Sequence, residues 1–321
     1  MTKFPLISIA EAKTKLLSGD VVAIPTETVY GLAGHIHSEA GLKKIFSTKE
    51  RPFFDPLIVH VDSVEKARIL SSDWNEVHDL LATSFWPGPL TMVVPKHSSV
   101  NPIITSGLDS VGIRCPYHKL TLDLLSQIEG GLAAPSANKF GKTSPTSAAH
   151  VFEEFGEAVS IIDGGPCHVG IESTVVGMVK EDKWKLKIYR PGHLSKKHFD
   201  ELFMIHDLGI EVLYAQSPVA PGQLKHHYMP RIPLVLTTKD FSWEKDKGEI
   251  EVALKKQFNK PAFWKLSEDA VLASRSLYQN MREFDQDGSD IILLQKQDHF
   301  STEEWLGIWN RLDKAKSLDL I

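Results

Sequence analysis

Val21-Val22-Ala23-Ile24-Pro25-Thr26 is a short apolar run rich in β-branched residues, and it leads directly into Glu27-Thr28-Val29-Tyr30-Gly31-Leu32. The first part, Val21–Thr26, reads as a buried strand. The second puts two hydroxyls, a carboxylate and a phenol into residues 26–30. A strand that ends in an irregular polar segment is the unit from which α/β sheets build binding crevices. In purely structural roles, Thr26 and Thr28 would cap a following helix and Tyr30 would pack.

The unit recurs along the chain. Further strand candidates are Pro56–Val61, Leu90–Pro95, Ser110–Pro116, Leu132–Ala137, Val159–Asp163, Thr174–Val179 and Lys185–Tyr189. Helical patterns lie between several of them, over Glu39–Phe46, Val64–Leu70, Trp74–Phe85, Leu120–Ile128 and Pro145–Phe155. Upstream, Ser8-Ile9-Ala10-Glu11 is a capping box and Gly19 a helix stop. The fold class is therefore α/β, and the late strands with little helix between them predict an open mixed sheet.

The composition shifts after Gly192. Pro218, Pro221, Gly222, Pro230 and Pro233 make residues 217–233 a semi-rigid linker. Beyond it, Leu234–Leu236 and Ile291–Leu294 read as strands. Ser301 and Glu304 form a second capping box before Trp305, Ile308, Trp309 and Leu312, and Ser267 is placed to cap a helix carrying Val271, Ser274, Tyr278 and Met281. The expected organisation is a first domain over 1–195, a linker over 196–233 and a small α/β domain over 234–321.

The chain has 321 residues, 42% hydrophobic and 24% charged, with net charge −5. That excludes a largely disordered chain and a protein-wide basic field for nucleic acid. Two cysteines, Cys115 and Cys167, support neither a disulfide framework nor zinc knuckles. Phe4–Ala10 is too short for a signal peptide, and no apolar run approaches a membrane span. A cytoplasmic protein without membrane attachment is expected.

Common motifs are absent. Gly141-Lys142-Thr143 resembles the end of a phosphate loop, but Ser136 stands where that loop needs glycine. His35 and His37 alternate in a strand-like segment without further metal-ligand spacing. Six polar segments remain. After the first, Lys49-Glu50-Arg51-Pro52 sets two cations at i, i+2 in an extended, proline-stiffened stretch, which suits a polyphosphate. Arg114 lies inside the apolar strand beginning at Ser110, so it needs an anionic partner or ligand. Ala134-Pro135-Ser136-Ala137-Asn138, with Lys142, Ser144 and Pro145, supplies donors and a helix start, Ser144 as N-cap. Gly170-Ile171-Glu172-Ser173-Thr174 brings hydroxyls to a strand start. Tyr189-Arg190-Pro191-Gly192 ends a strand with a cation. Lys49, Arg51, Arg114, Lys142 and Arg190 together read as a site for a small polyanion such as ATP, with chemistry by positioning and charge stabilisation.

Taken in order, these segments closely resemble the YrdC-like threonylcarbamoyl-AMP synthases over roughly residues 10–195, and the sequence from Ser217 to Pro230 resembles the linker of their long, two-domain form. The resemblance implies that L-threonine, bicarbonate and ATP give threonylcarbamoyl-adenylate and pyrophosphate, with magnesium. Other proteins then carry the group to an adenosine beside the tRNA anticodon. It implies Lys49, Arg51 and Tyr30 at the reacting centre. ATP would be bound by Lys49, Arg51, Asp55, Ser110, Ala134, Ser136, Asn138, Ser144, Arg190 and His227, and threonine by Thr28, His60, Arg114 and Ser173. His227 and Tyr228 would fold back over the nucleotide. Phe53-Phe54-Asp55, Phe140 and His226 depart from the family pattern, and Asp55 either repels phosphates or helps to hold magnesium. Weak or no direct nucleic-acid binding is expected. The alternatives are an RNA-binding module, a carbamoyl-adenylate enzyme of a related branch, and a regulatory protein that binds ATP or threonine without turnover.

Overall fold

A computed structural model of the chain describes residues 4–215 and 227–320. Residues Ser217 to His226 of the expected linker motif lie outside the described residues. Ten strands form one mixed sheet: β1 (Val22–Ile24), β2 (Gly31–His35), β3 (Ile58–His60), β4 (Leu90–Pro95), β5 (Ser110–Arg114), β6 (Leu132–Ala133), β7 (Ser160–Ile161), β8 (Thr174–Lys180), β9 (Trp184–Arg190) and β10 (Glu211–Tyr214). Their order is β10-β9-β8-β4-β5-β3-β6-β2-β1-β7. Parallel pairs such as β3·β5 and β4·β8 alternate with antiparallel ones such as β4·β5 and β8·β9. The sheet is mixed, as the sequence predicts.

The chain departs from expectation directly after β1. No helix follows Thr26 and Thr28. Thr26 Oγ1 accepts the Val29 N–H and donates to the Val29 carbonyl, closing a tight turn. The chain then returns as β2, antiparallel to β1 with Ile24 opposite Gly31. A hydroxyl turn and a helix cap present the same sequence signal, and here the sheet partner decides between them.

Two further corrections concern helix ends. The helix expected over Pro145–Phe155 runs over Ala148–Phe155 and is capped by Ser147, not Ser144. The Pro145 carbonyl is taken by the Tyr30 N–H, so the chain stays extended there. Lys49 is not in an extended stretch: it ends the helix Glu39–Lys49, and Glu50 caps that helix in the left-handed region at φ 53°. Lys49 and Arg51 therefore diverge instead of pointing together.

Residues 196–214, assigned to the linker from sequence, hold the helix Lys196–Ile205 and strand β10, which joins the edge of the large sheet. A second, wholly parallel sheet contains β11 (Leu234–Thr237), β12 (Pro261–Trp264), β13 (Ile291–Gln295) and β14 (Leu318–Asp319) in the order β12-β13-β11-β14. Its flanking helices are Trp243–Leu254, Ala270–Phe284 and Leu306–Ala315. Asp269, not Ser267, caps the second. The capping box at Ser301 does not form; the Ser301 hydroxyl bonds the Asp298 carbonyl and the helix begins at Leu306. The apolar spacing nevertheless holds, with Trp305, Ile308 and Leu312 buried.

The two sheets are fastened through the loops of the first. Val29 and Ile171 share a hydrophobic cluster with Tyr228, Leu236, Trp264, Leu277 and Ile308. Cys115 and Cys167 are buried and free, their thiols pushed up to about 12 by burial. Among the described residues no helix is long and apolar enough to cross a membrane.

Gly307 sits against the Tyr189–Gly192 turn, where a Cβ would come within 2.7 Å of the Gly192 carbonyl oxygen. Helix propensity alone makes Gly307→Ala stabilising by about 1 kcal/mol. The backbone clash costs about 1–3 kcal/mol and outweighs it. Thermal unfolding of Gly307→Ala is expected at a lower Tm than wild type; a higher Tm would show that the two parts are not closely packed here.

Candidate active site

The six polar segments converge on one cleft across the middle of the large sheet. Its walls come from the turn after β1, from β3, from the end of β5, from the segment after β6, from the approach to β8 and from the end of β9. Thr28, Arg51, His60, Arg114, Ala134, Ser136, Ser173, Arg190 and His227 all line it. Tyr228 closes the wall contributed by the returning chain.

At one end, the Arg114 guanidinium meets the Glu27 carboxylate at 2.7 Å, with both side chains buried. It also donates to Thr28 Oγ1 at 2.9 Å and to the Gly88 carbonyl at 3.2 Å. The sequence requirement for an anionic partner is thus met by Glu27, from the first polar segment. His60 is the register neighbour of Arg114 across β3 and β5. Burial, reinforced by Arg114, lowers its pKa to about 3, so its imidazole is neutral. Its Nδ1 is buried without a partner among the described residues.

At the other end, Arg51 ion-pairs with Asp55 at 2.8 Å and donates to the Asp55 and Pro56 carbonyls. Burial raises the Asp55 pKa against the pull of Arg51 and Lys49. Arg190 donates to Ser173 through both its carbonyl and its hydroxyl, each at 3.1 Å, and Ser173 is tied to Thr91 at 2.7 Å. Arg51, from the loop after the helix Glu39–Lys49, and Arg190, at the end of β9, face the same cleft.

Other expected residues sit beside the cleft. The buried Lys49 ammonium is held by the Ser136 and Asn138 carbonyls, and burial, then Arg51, depresses its pKa well below the usual lysine range. It anchors the 136–138 segment from behind. Asn138 Nδ2 braces the same loop through the Lys139 and Lys142 carbonyls. Tyr30 points away: its hydroxyl donates to the Gly165 carbonyl at 2.8 Å and accepts from the Gly164 N–H. Ser110 lines a separate small depression with Pro56, Ile58 and Gly112. The Lys142 side chain is exposed. His35 and His37 form an edge contact, and no group of three potential metal ligands occurs among the described residues.

The sequence reading overlooked Glu172. This buried carboxylate lines the cleft and accepts from Ser144 Oγ at 2.6 Å, Tyr278 Oη at 2.9 Å and Arg311 Nε at 3.0 Å. Burial pushes its pKa up, but Arg311 and Arg190 prevail and hold it at about 2. Arg311 is wholly buried, lies over the Tyr228 ring at 5.6 Å, and also donates to the Glu172 and Pro191 carbonyls. One side chain of the second sheet's last helix thereby fixes the two segments that carry Ser173 and Arg190. Arg311 lies in an ordinary amphipathic helix, 139 residues beyond its partner, so spacing gave no signal.

Residues 14–192 match the family model described as telomere recombination, whose name joins Sua5, YciO and YrdC, and residues 196–317 match the model described as threonylcarbamoyl-AMP synthase, C-terminal domain. The chain is 36% identical to a threonylcarbamoyl-AMP synthase of Pyrococcus abyssi, covering 94% of this chain and 92% of that protein. A shorter synthase from Chromohalobacter salexigens is 30% identical over 49% of this chain and 84% of its own length. The structure of P. abyssi Sua5 complexed with L-threonine superposes with a TM-score of 0.82, at 32% identity, over 98% of this chain and 96% of that one.

Arg311→Met strands a buried carboxylate and is expected to cost about 3–5 kcal/mol, whereas adding Glu172→Gln recovers part of it. A double-mutant cycle in denaturant unfolding measures this, and additive losses would contradict the coupling. Protonation sets a second expectation. Below about pH 6.5 the unfolded chain takes up protons at His60 and His227, while the folded chain refuses them until about pH 3. Folding stability therefore falls as pH drops through this window, by up to about 1.4 kcal/mol per pH unit for each histidine. Unfolding at pH 7, 6 and 5 should show a shallower decline for His60→Gln; equal slopes would contradict burial of a neutral imidazole.

Proposed function

The chain belongs to the threonylcarbamoyl-AMP synthases, in their two-domain form, and from that premise we propose that the cleft between β3, β5, β8 and the 134–138 segment is where its residues carry out the reaction. The enzyme joins L-threonine, bicarbonate and ATP into threonylcarbamoyl-AMP, releasing pyrophosphate and supplying the group for tRNA modification. The observation that carries the assignment is the polarity of the cleft. Arg114 and a neutral His60 stand at one end, and Arg51 and Arg190 stand on the way to the other.

Threonine's carboxylate fits Arg114, flanked by the Thr28 and Ser173 hydroxyls. Glu27 keeps that guanidinium fixed and half-neutralised. The amine must be uncharged to attack carbon dioxide or bicarbonate. A neutral His60 accepts a hydrogen bond without adding positive charge that would oppose carbamate formation. The carbamate oxygen must then meet the α-phosphorus in line. Arg51 and Arg190 offset the charge that builds on the phosphates and the departing pyrophosphate. Ser136 and Ala134 border the nucleotide's side of the cleft. Lys49, Asn138 and Ser144 support these walls as positioning residues, and Tyr30 and Ser110 act from outside them. Discrimination against serine rests on one methyl group, worth about 1–3 kcal/mol.

No cluster of three metal ligands is present among the described residues, and Asp55 is engaged by Arg51. Magnesium is best regarded as ATP's own counter-ion. The free cleft has a volume of about 60 Å³, well below the roughly 300–1,000 Å³ of sites for ligands of this size. His227 and Tyr228, from the end of the expected linker, form part of its wall, which supports a covering role for these two residues. Displacement of His227 and Tyr228 admits nucleotide, and their return excludes water. The product passes to the tRNA-modifying transfer proteins in the cytoplasm.

Pyrophosphate release from ATP, with L-threonine and bicarbonate omitted in turn, tests this assignment. Release is expected only with both present, and Arg51→Ala should reduce it at least 100-fold, the order set by loss of one charge-stabilising group. Release that ignores threonine, or an Arg51→Ala enzyme of normal rate, would overturn it.

A further inference from the structure

A second cavity, of about 450 Å³, opens at the carboxyl end of the four-stranded sheet, away from the catalytic cleft. Its position follows from the topology. β11 leaves through the helix Trp243–Leu254 to reach β12 on one side. β13 leaves through the helix Leu306–Ala315 to reach β14 on the other. β11 and β13 are parallel neighbours, so their outgoing connections part and leave a crevice beyond their carboxyl ends. Open α/β sheets take ligands at such switch points. The cavity's walls include the last residues of three strands, Thr237, Trp264 and Gln295, which places it at this edge.

The wall chemistry narrows the ligand. Phe241, Phe263, Trp264 and Phe300 line it; Trp264 and Phe300 are buried, whereas Phe263 is exposed and Phe241 half-buried. Phe263 is 66% exposed, although it stands on a strand beside the core residue Leu293. Exposed aromatic surface at a concave site is available for stacking. Two ring nitrogens of wall residues, Trp264 Nε1 and His299 Nε2, are buried without a hydrogen-bond partner among the described residues, and Trp264 itself is only 5% exposed. Buried polar atoms of this kind are rare unless something completes them. The surroundings do not suit polyphosphate. Glu268 offsets Lys265 in the wall, Asp269 fills the start of the helix Ala270–Phe284 by accepting from Val271 and Leu272, and Glu244 and Asp246 occupy the first turn of Trp243–Leu254.

We propose that this cavity binds a nucleobase: a planar, uncharged heterocycle with hydrogen-bonding edges, stacked against Phe263 and Phe241. The base can come from a free nucleoside or from an unpaired position of single-stranded RNA. Either is held by its ring and not by its phosphates. The site is independent of the catalytic assignment, because it shares no residue with the catalytic cleft.

The test uses the full chain with the catalytic cleft saturated by L-threonine and a non-hydrolysable ATP analogue. Adenosine and a short unpaired oligoadenylate are titrated separately by calorimetry, and the protein's pyrophosphate release is measured in parallel. At least one of the two is expected to bind, with affinity at least tenfold weaker in Phe263→Ser and with turnover unchanged. Phe263 is largely exposed, so this variant spares the core; Phe241→Ser provides a second. Binding of adenosine assigns the free nucleoside, and binding of the oligomer alone assigns RNA. Absence of binding by both, or binding that neither substitution weakens, would overturn the proposal.

Discussion

A buried carboxylate without a cation beside it is one of the least stable arrangements a protein can adopt. Glu172 avoids it through Arg311, reinforced by Arg190, and through two hydroxyl donors, Ser144 and Tyr278. Those donors come from both sheets. The second sheet must therefore dock in one position, because any slip leaves a charge buried without its counterpart. The requirement reaches the chemistry immediately. Ser173 follows Glu172, Arg190 is hydrogen-bonded to Ser173, and Arg311 also grips the Pro191 carbonyl. The small domain thus behaves as part of the active-site frame.

The cleft's charge pattern has the same logic at shorter range. Two arginines are compensated by buried carboxylates, Arg51 by Asp55 four residues on and Arg114 by Glu27 from the turn after β1. Compensation keeps these cations ordered while leaving the cleft able to attract an anion. Asp55, open in sequence between repelling phosphate and holding magnesium, is paired with Arg51 in the structure. His60, beside Arg114, stays neutral chiefly because burial disfavours its charged form, and Arg114 adds to this. Lys49 contributes from outside: its ammonium ties two carbonyls of the Ser136 loop and so shapes a wall without entering it.

Much of this was legible in the sequence. The mixed α/β class follows from strand runs such as Thr174–Val179 alternating with helical spacing, and the polar segments at strand ends predicted the cleft itself. What escaped was information that only the third dimension holds. Thr26 could equally cap a helix or close a turn, and the pairing of β2 with β1 chose the turn. Ser144 reads as an N-cap until Glu172 claims its hydroxyl, after which Ser147 takes the cap. The i, i+2 argument for Lys49 and Arg51 failed because a left-handed residue at Glu50 turns the chain between them. Short strands such as β12 and β14, two to four residues long, carry too little periodicity to be seen.

The central claim is that the second sheet holds the catalytic cleft in register through Arg311 and Glu172. Its most direct measurement is the calorimetric dissociation constant of L-threonine for wild type and for full-length Arg311→Met, at a temperature where both are folded. The account predicts affinity at least tenfold weaker in the variant, since Ser173 and Arg190 lose their common anchor. An unchanged dissociation constant in a folded Arg311→Met protein would contradict it and leave the pair as a fastener between domains with no part in the site.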